Sequence, residues 1–286
     1  MKEEICEKIY DEVFRHITQR GISIFLCGGA SSRHEISYRD KLCKELKCIS
    51  GIDVLYPEDL FMELLNRNRK KYDLLKLEQF LANNSDYIVI VCESPGSFTE
   101  LGAFVNNDET VSKVIVLLQT KYKNAKSFIR QGPVAYIESK DKRRVVYYNQ
   151  GDTAKAVKEI KKVVGGWRGS FDRYWNRLDT ITGQRDLLLI FLYFQEEMSA
   201  GELIEHIKLL YEKERGPIDQ FEIFYDAAIR RCFKEGQIVK MADGKYQLTE
   251  RGYWFVMELL SHVYLKKRTK VFNDIRMKIM YNARNE

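Results

Sequence analysis

Three carboxylates, Asp86, Glu93 and Glu100, bracket a turn of small residues running from Ser94 through Pro95, Gly96 and Ser97 to Thr99. A carboxylate kept ionised at the base of a cleft can attack a sugar anomeric carbon and form a covalent glycosyl-enzyme, as in retaining glycosidases. Glu100 is the candidate nucleophile. A second group must assist the departing base, and Glu93 or Asp86 could supply it. The hydroxyls and backbone donors between Ser94 and Thr99 could hold a ribose or a phosphate at a helix N-terminus. The same residues admit a plainer account. Ser97-x-x-Glu100 also fits a capping box, in which the glutamate bonds back to the serine N–H. Asp86, just before a strand, is a common kind of turn residue.

The elements that must position these groups follow from local pattern. Tyr87 to Cys92 is an apolar run rich in β-branched residues, suited to a strand buried on both faces. Ser94, Pro95 and Gly96 stop it. Phe98, Leu101, Ala103 and Phe104 then begin a helix, with Glu100 about three residues in, where the macrodipole favours negative charge. Open α/β sheets bind ligands at the carboxyl ends of their strands, so this turn belongs in a cleft. Upstream, Ile22 to Cys27 reads as a first strand, followed at once by Gly28 and Gly29. Glycines there let the backbone approach a ligand, or simply make a turn. No GxGxxG or P-loop accompanies them.

Ile52 to Leu55 is a second strand. It leaves through Tyr56-Pro57-Glu58-Asp59, with Glu58 in the first turn of a following helix and counted among the substrate-binding candidates. Val114 to Leu118 reads as a fourth strand, Pro133 to Ile137 as a fifth and Val145 to Tyr148 as an edge strand. Helical spacing covers residues 3–19, 36–46, 60–65 and 74–81. This alternation predicts an α/β fold with a doubly wound, mostly parallel sheet.

The pattern changes at Gly165, Gly166 and Gly169, which read as a hinge. Residues 1–165 are expected to form the catalytic domain and residues 166–286 a smaller α+β domain. In the latter, Ser199-x-x-Glu202 is a capping signature. Pro217 to Lys234 is a longer helix, Asp243-Gly244 a hairpin turn between short strands, and Arg251 to Leu260 another helix. Three helices and a hairpin are the order of a winged-helix module. Its candidate recognition helix, Asp219 to Lys234, mixes Arg230, Arg231 and Lys234 with acids. That favours docking through phosphates and apolar faces over base readout. The tail from Lys266 to Arg284 is basic.

At 286 residues, 45% hydrophobic and 31% charged, the chain can bury a sizeable core. The start, MKEEIC, lacks the apolar segment of a secretory signal, and the longest apolar run, Leu187 to Phe194, is too short to span a bilayer. Six cysteines without a CxxC pair read as reduced residues of a cytoplasmic protein. Four histidines without HExxH spacing predict no metal site. A net charge of +6 hints at a polyanionic partner.

The run ESPGSFTELGAF resembles the signature of the nucleoside deoxyribosyltransferase-like superfamily, whose glutamate attacks the anomeric carbon of a nucleoside. Ile24 to Gly29, Tyr56 to Phe61 and Glu93 to Asn107 together resemble the effector proteins encoded beside certain bacterial retrons. The likeness is strong over roughly the first 135 residues and lies mainly in layout beyond them. It implies a flavodoxin-like strand order joined to a winged helix. It further implies a toxin of phage defence, held with a reverse transcriptase and its branched RNA–DNA in a homo-oligomer or higher-order assembly. The nucleophile of that family falls on Glu100, and its phosphate- and ribose-binding segments fall on Gly28, Gly29 and Ser94 to Thr99. The first loop departs from the older transferases and lacks their nucleobase-binding aspartate pair. Hydrolysis of a nucleotide therefore fits better than base exchange, and the retron resemblance implies NAD or a related nucleotide as the substrate, with no cofactor. The alternatives are a nucleotide-sensing DNA-binding regulator and a deoxyribosyl transferase.

Overall fold

The computed structural model describes residues 3–17, 22–57, 60–61, 73–165, 177–215 and 221–284. The chain divides into two units, Gly21–Arg173 and Met1–Arg20 with Tyr174–Glu286. The first helix, α1 (Glu3–Glu12), therefore falls in the second unit, although residues 1–165 were expected together. Its Ile5, Cys6 and Ile9 are buried in that unit's core. A 3-10 turn at Phe14–His16 follows α1, so the helix expected to residue 19 ends sooner. Gly166, Gly169 and the start of the helix expected from Pro217 lie outside the described residues.

The first unit is built on five strands: β1 (Ile22–Cys27), β2 (Ile52–Leu55), β3 (Tyr87–Cys92), β4 (Val114–Gln119) and β5 (Val145–Tyr148). Their order is β2-β1-β3-β4-β5, and every pairing is parallel. This is the flavodoxin-type order, whose switch point lies between β1 and β3. All six residues of β3 are buried, as a central parallel strand requires.

One face of the sheet presents Ile24, Leu26, Val89, Val91, Ile115 and Leu117 to α2 (Tyr38–Lys47), and a later helix completes that core through Val157, Ile160 and Val164. The amphipathic α3 (Leu74–Asn83) precedes β3 and α4 (Pro95–Val105) follows it. Phe104 of α4 meets Phe25 of β1 edge-on at 5.7 Å. The strand expected at Pro133–Ile137 is instead helical, a π-turn over Arg130–Val134 running into α5 (Ala135–Lys140). Val134 and Ile137 are its buried residues; their spacing of three is a helical one. The helix on the first face is α6 (Thr153–Gly165).

From Ile181 onward the second unit runs helix, strand, helix, helix, strand, strand, helix, helix. These are α7 (Ile181–Gln195), β6 (Glu197–Met198), α8 (Ala200–Arg215), α9 (Phe221–Lys234), β7 (Ile238–Lys240), β8 (Tyr246–Leu248), α10 (Glu250–Ser261) and α11 (Arg268–Ala283). Helix α7 is apolar around most of its circumference and is buried accordingly. The strands form an antiparallel sheet in the order β6-β8-β7. The β7–β8 turn uses Gly244 at φ +88°, a left-handed conformation that favours glycine. The capping box expected at α8 is present: Ser199 N–H donates to Glu202 Oε2 at 2.8 Å, and Glu202 N–H to Ser199 Oγ at 3.2 Å. Among the described residues, no helix is long and apolar enough to cross a membrane.

Candidate active site

Parallel register brings the loops after β1 and β3 together. Cys27 pairs with Ile90, so Gly28 and Gly29 continue alongside the end of β3 and the residues that follow it. Glu93, the first residue beyond β3, bridges these loops. Its Oε1 accepts the backbone N–H groups of Gly29 (3.2 Å) and Arg39 (3.1 Å), and its Oε2 accepts that of Tyr38 (3.0 Å). Tyr38 and Arg39 are the first two residues of α2, so the carboxylate satisfies donors that a helix start leaves without intrahelical partners. Glu93 thus fastens the β1 loop and the N-terminus of α2 to the end of β3. A proton-donating role would have to compete with three backbone bonds.

The helix after β3 begins earlier than the sequence suggested. Ser94 is the N-cap, Pro95 opens the helix, and the capping box is closed by Ser97. Proline suits that first position because its missing N–H costs nothing there. Ser97 is buried; its hydroxyl donates to Ser94 O at 2.8 Å and accepts from Glu93 and Ser94 N–H at 3.2 and 3.1 Å. It holds the turn rather than a ligand. Thr99 is exposed and donates to Pro95 O at 3.1 Å. Pro95 and Gly96 are exposed at the helix start.

Glu100 is therefore the sixth residue of α4 and takes no part in its cap. It follows Ser97 by three and precedes Phe104 by four, both buried, which puts it on the inward side of the helix. Its charge reaches Cys92, the last residue of β3. That thiol is pushed up to about 12, chiefly by burial and further by the Glu100 carboxylate. Glu100 thus stands at the carboxyl end of the central strand.

Asp86 is elsewhere. It precedes β3, and its Oδ2 accepts from Ser23 N–H at 2.9 Å and Ser23 Oγ at 2.8 Å, at the start of β1. A strand of this length carries it about 20 Å from the carboxyl ends. Asp86 ties two strand starts together, at the end of the sheet away from the turn where a catalytic part is expected of it. Glu58 lies outside the described residues.

A cleft of about 310 Å³ opens over the strand ends, lined by Gly29, Glu93 and Ser94 from the expected set. Pattern reasoning missed its other walls: Ala30, Ser32, Glu35 and Ile36 from the β1 loop, Ser37, Tyr38 and Lys41 at α2, Gln119 ending β4 and Gln150 after β5. Gln119 was accessible to the rule that ligands sit at strand ends, whereas Lys41 and Gln150 depend on packing. Tyr38 is fixed by stacking on Tyr148, centroids 4.0 Å apart, and by donating to Asp152 O at 2.8 Å. Its hydroxyls and side-chain amides suit the hydroxyls of a sugar, with Lys41 as its one ammonium and Glu35 and Glu93 as its carboxylates. Glu100 does not line this cleft; it stands on α4, across the end of β3.

Residues 35–242 match the STM3845 retron effector protein family. The chain is 29% identical, over a 300-residue alignment covering 98% of it and 94% of the relative, to the "Retron Ec86 putative ribosyltransferase/DNA-binding protein" of Escherichia coli. It is 36% identical over 117 residues, 40% of this chain and 37% of the relative, to the "Retron Ec73 putative ribosyltransferase/DNA-binding protein" of the same organism.

Proposed function

The chain belongs to the STM3845 retron effector protein family, and from that premise we propose that it is the toxic effector of a retron anti-phage system, acting as an N-glycosidase on NAD or a related nucleotide. The observation that carries the reading is the cap of α4. Ser94 and Ser97 do the capping, so Glu100 is not the cap of this helix, and its carboxylate lies on the inward side where its charge reaches Cys92.

In this reading a Glu100 oxygen attacks the anomeric carbon. The C–N bond breaks and its electron pair leaves with the base. Water then cleaves the glycosyl ester, returning the Glu100 carboxylate and releasing a proton to solvent. Nicotinamide leaves a pyridinium as a neutral base and needs no proton, so NAD asks least of the site. The phosphates would lie in the cleft near Lys41 and the Gly29 loop, with the ribose turned across the end of β3 toward Glu100.

The order of α7 to β8 supports a winged helix in the second unit. Its counterpart of a recognition helix, α9, is poorly suited to duplex readout. Arg231 is buried and bonded to Glu235 at 2.8 Å. Docking to the retron reverse transcriptase and its branched RNA–DNA, in an oligomeric assembly in the cytoplasm, fits this unit better. The relatives' description as ribosyltransferases favours transfer to an acceptor as the second reading. Chromatography after incubation with NAD and a nucleotide panel, with and without the retron complex and with and without an added acceptor base, separates them. Release of nicotinamide or a free base supports hydrolysis; product only with an acceptor supports transfer; no product in any condition defeats both.

A further inference from the structure

Between Thr120 and Arg144 the chain carries eight Lys and Arg residues against Glu138 and Asp141, a net +6 that equals the charge of the whole protein. The rest of the chain is therefore neutral in sum. The segment leaves the carboxyl end of β4, passes through a 3-10 turn at Thr120–Tyr122, the π-turn and α5, and returns as β5. Its acids are already engaged: Glu138 by Arg130 at 2.8 Å, and Asp141 by Arg143 at 2.8 Å. Lys121, Lys123, Lys126, Lys140 and Lys142 are all exposed.

Aromatic rings are interleaved with these lysines. Phe128 is 85% exposed, Tyr136 45% and Tyr122 42%. Lys121 lies 4.9 Å from the Tyr122 centroid and Lys140 5.3 Å from that of Tyr136. At that exposure the Phe128 ring contributes little to the core and most of its surface is open to solvent. Cations along a backbone path, with ring faces between them, match the way single-stranded nucleic acid is held: phosphates on the cations, bases on the rings. An anionic membrane would want a deeper apolar face than these scattered rings provide.

We infer that this segment is a docking surface for single-stranded nucleic acid on the α/β unit itself, separate from any contact made by the second unit. It follows directly on Gln119, which ends β4 and lines the cleft, so a bound strand runs past the rim of the candidate active site. The inference holds whether or not Glu100 is a nucleophile.

The test uses the full-length protein and a fluorescein-labelled oligothymidylate of about 20 nucleotides, longer than one binding site, with anisotropy read across a salt series. Wild type is expected to bind. Joint Lys121→Gln, Lys123→Gln and Lys126→Gln should lower the slope of log affinity against log salt by about 2, since each phosphate contact on a single strand contributes about 0.7. Joint Phe128→Ala and Tyr136→Ala should weaken binding by at least about thirtyfold, the size of two lost base–aromatic stacks. All five positions are at the surface, and an unchanged melting temperature verifies folding. Wild-type affinity and slope in the lysine variant would overturn the inference. So would loss of binding solely on joint Lys266→Gln, Lys267→Gln and Lys270→Gln in the C-terminal tail. Tighter binding to phosphatidylglycerol vesicles than to the oligonucleotide would overturn it in favour of a membrane.

Discussion

Glu93 and Gly29 are locked together across the ends of β3 and β1. The glycine N–H donates to Glu93 Oε1 at 3.2 Å, and a Cβ on Gly29 would stand 3.2 Å from Glu93 Cγ. The small residue after the first strand therefore has a concrete reason: it makes room for the carboxylate that fastens three backbone donors. Glu93→Ala strands those donors, and a loss of about 2 kcal/mol is expected, in the range for hydrogen bonds to a charged group. Urea unfolding measures it. An unchanged midpoint would show that the clamp is not what holds the β1 loop and α2.

Asp86→Asn separates position from chemistry. Its Ser23 partners lie at the amino end of the sheet, so stability should fall by about 1 kcal/mol while turnover per folded molecule is unchanged. A loss of turnover at full stability would return Asp86 to the catalytic set.

The sheet was legible because β-branched runs bounded by turn residues recur between amphipathic helices, and β1 to β5 fall on such runs. Pro133–Ile137 misled because proline followed by mixed apolar residues also resembles an edge strand; only the burial of Val134 with Ile137 reveals the helix. Glu100 is singled out by its chemistry alone, but its place in the helix is misjudged from sequence, because Ser97-x-x-Glu100 fits a cap while the structure starts the helix at Pro95 and closes the box with Ser94 and Ser97. Asp86 could have been excluded from sequence alone, since a residue that precedes a parallel strand lies at the end away from ligands. Lys41 and Gln150 enter the cleft through helix and sheet packing, which no local pattern records. Nor did local pattern show that α1 joins the second unit, whose core draws on both ends of the chain.

Asp40 sets an acid limb to stability. Burial alone would raise its carboxyl, but the Ser31 hydroxyl, the Arg39 guanidinium and the Tyr56 hydroxyl outweigh that and hold it below the ordinary range. A group lowered on folding stabilises above its unfolded value of about 3.9 and loses that contribution as pH falls through the lower folded one. Asp40→Asn should therefore reduce the difference in unfolding free energy between about pH 7 and about pH 3. An acid slope identical to wild type would contradict this.

The Cys92 thiol offers a check on where Glu100 lies that is independent of turnover. Burial is the larger cause of its high value and the Glu100 charge the smaller. Glu100→Gln removes only the second, so Cys92 should titrate lower than wild type yet remain above an exposed cysteine. Carbon-13 shifts of a Cys92-labelled protein would show it. No shift on substitution would place Glu100 away from the end of β3.

The central claim is that Glu100 attacks the anomeric carbon of a nucleotide. The direct measurement is the rate of nicotinamide or base release by wild type and Glu100→Gln, in the retron complex, with unfolding midpoints recorded for both. The account predicts a stable variant whose rate falls by at least about a hundredfold, as expected when a nucleophile is removed. Release at the wild-type rate by a folded Glu100→Gln protein would contradict it.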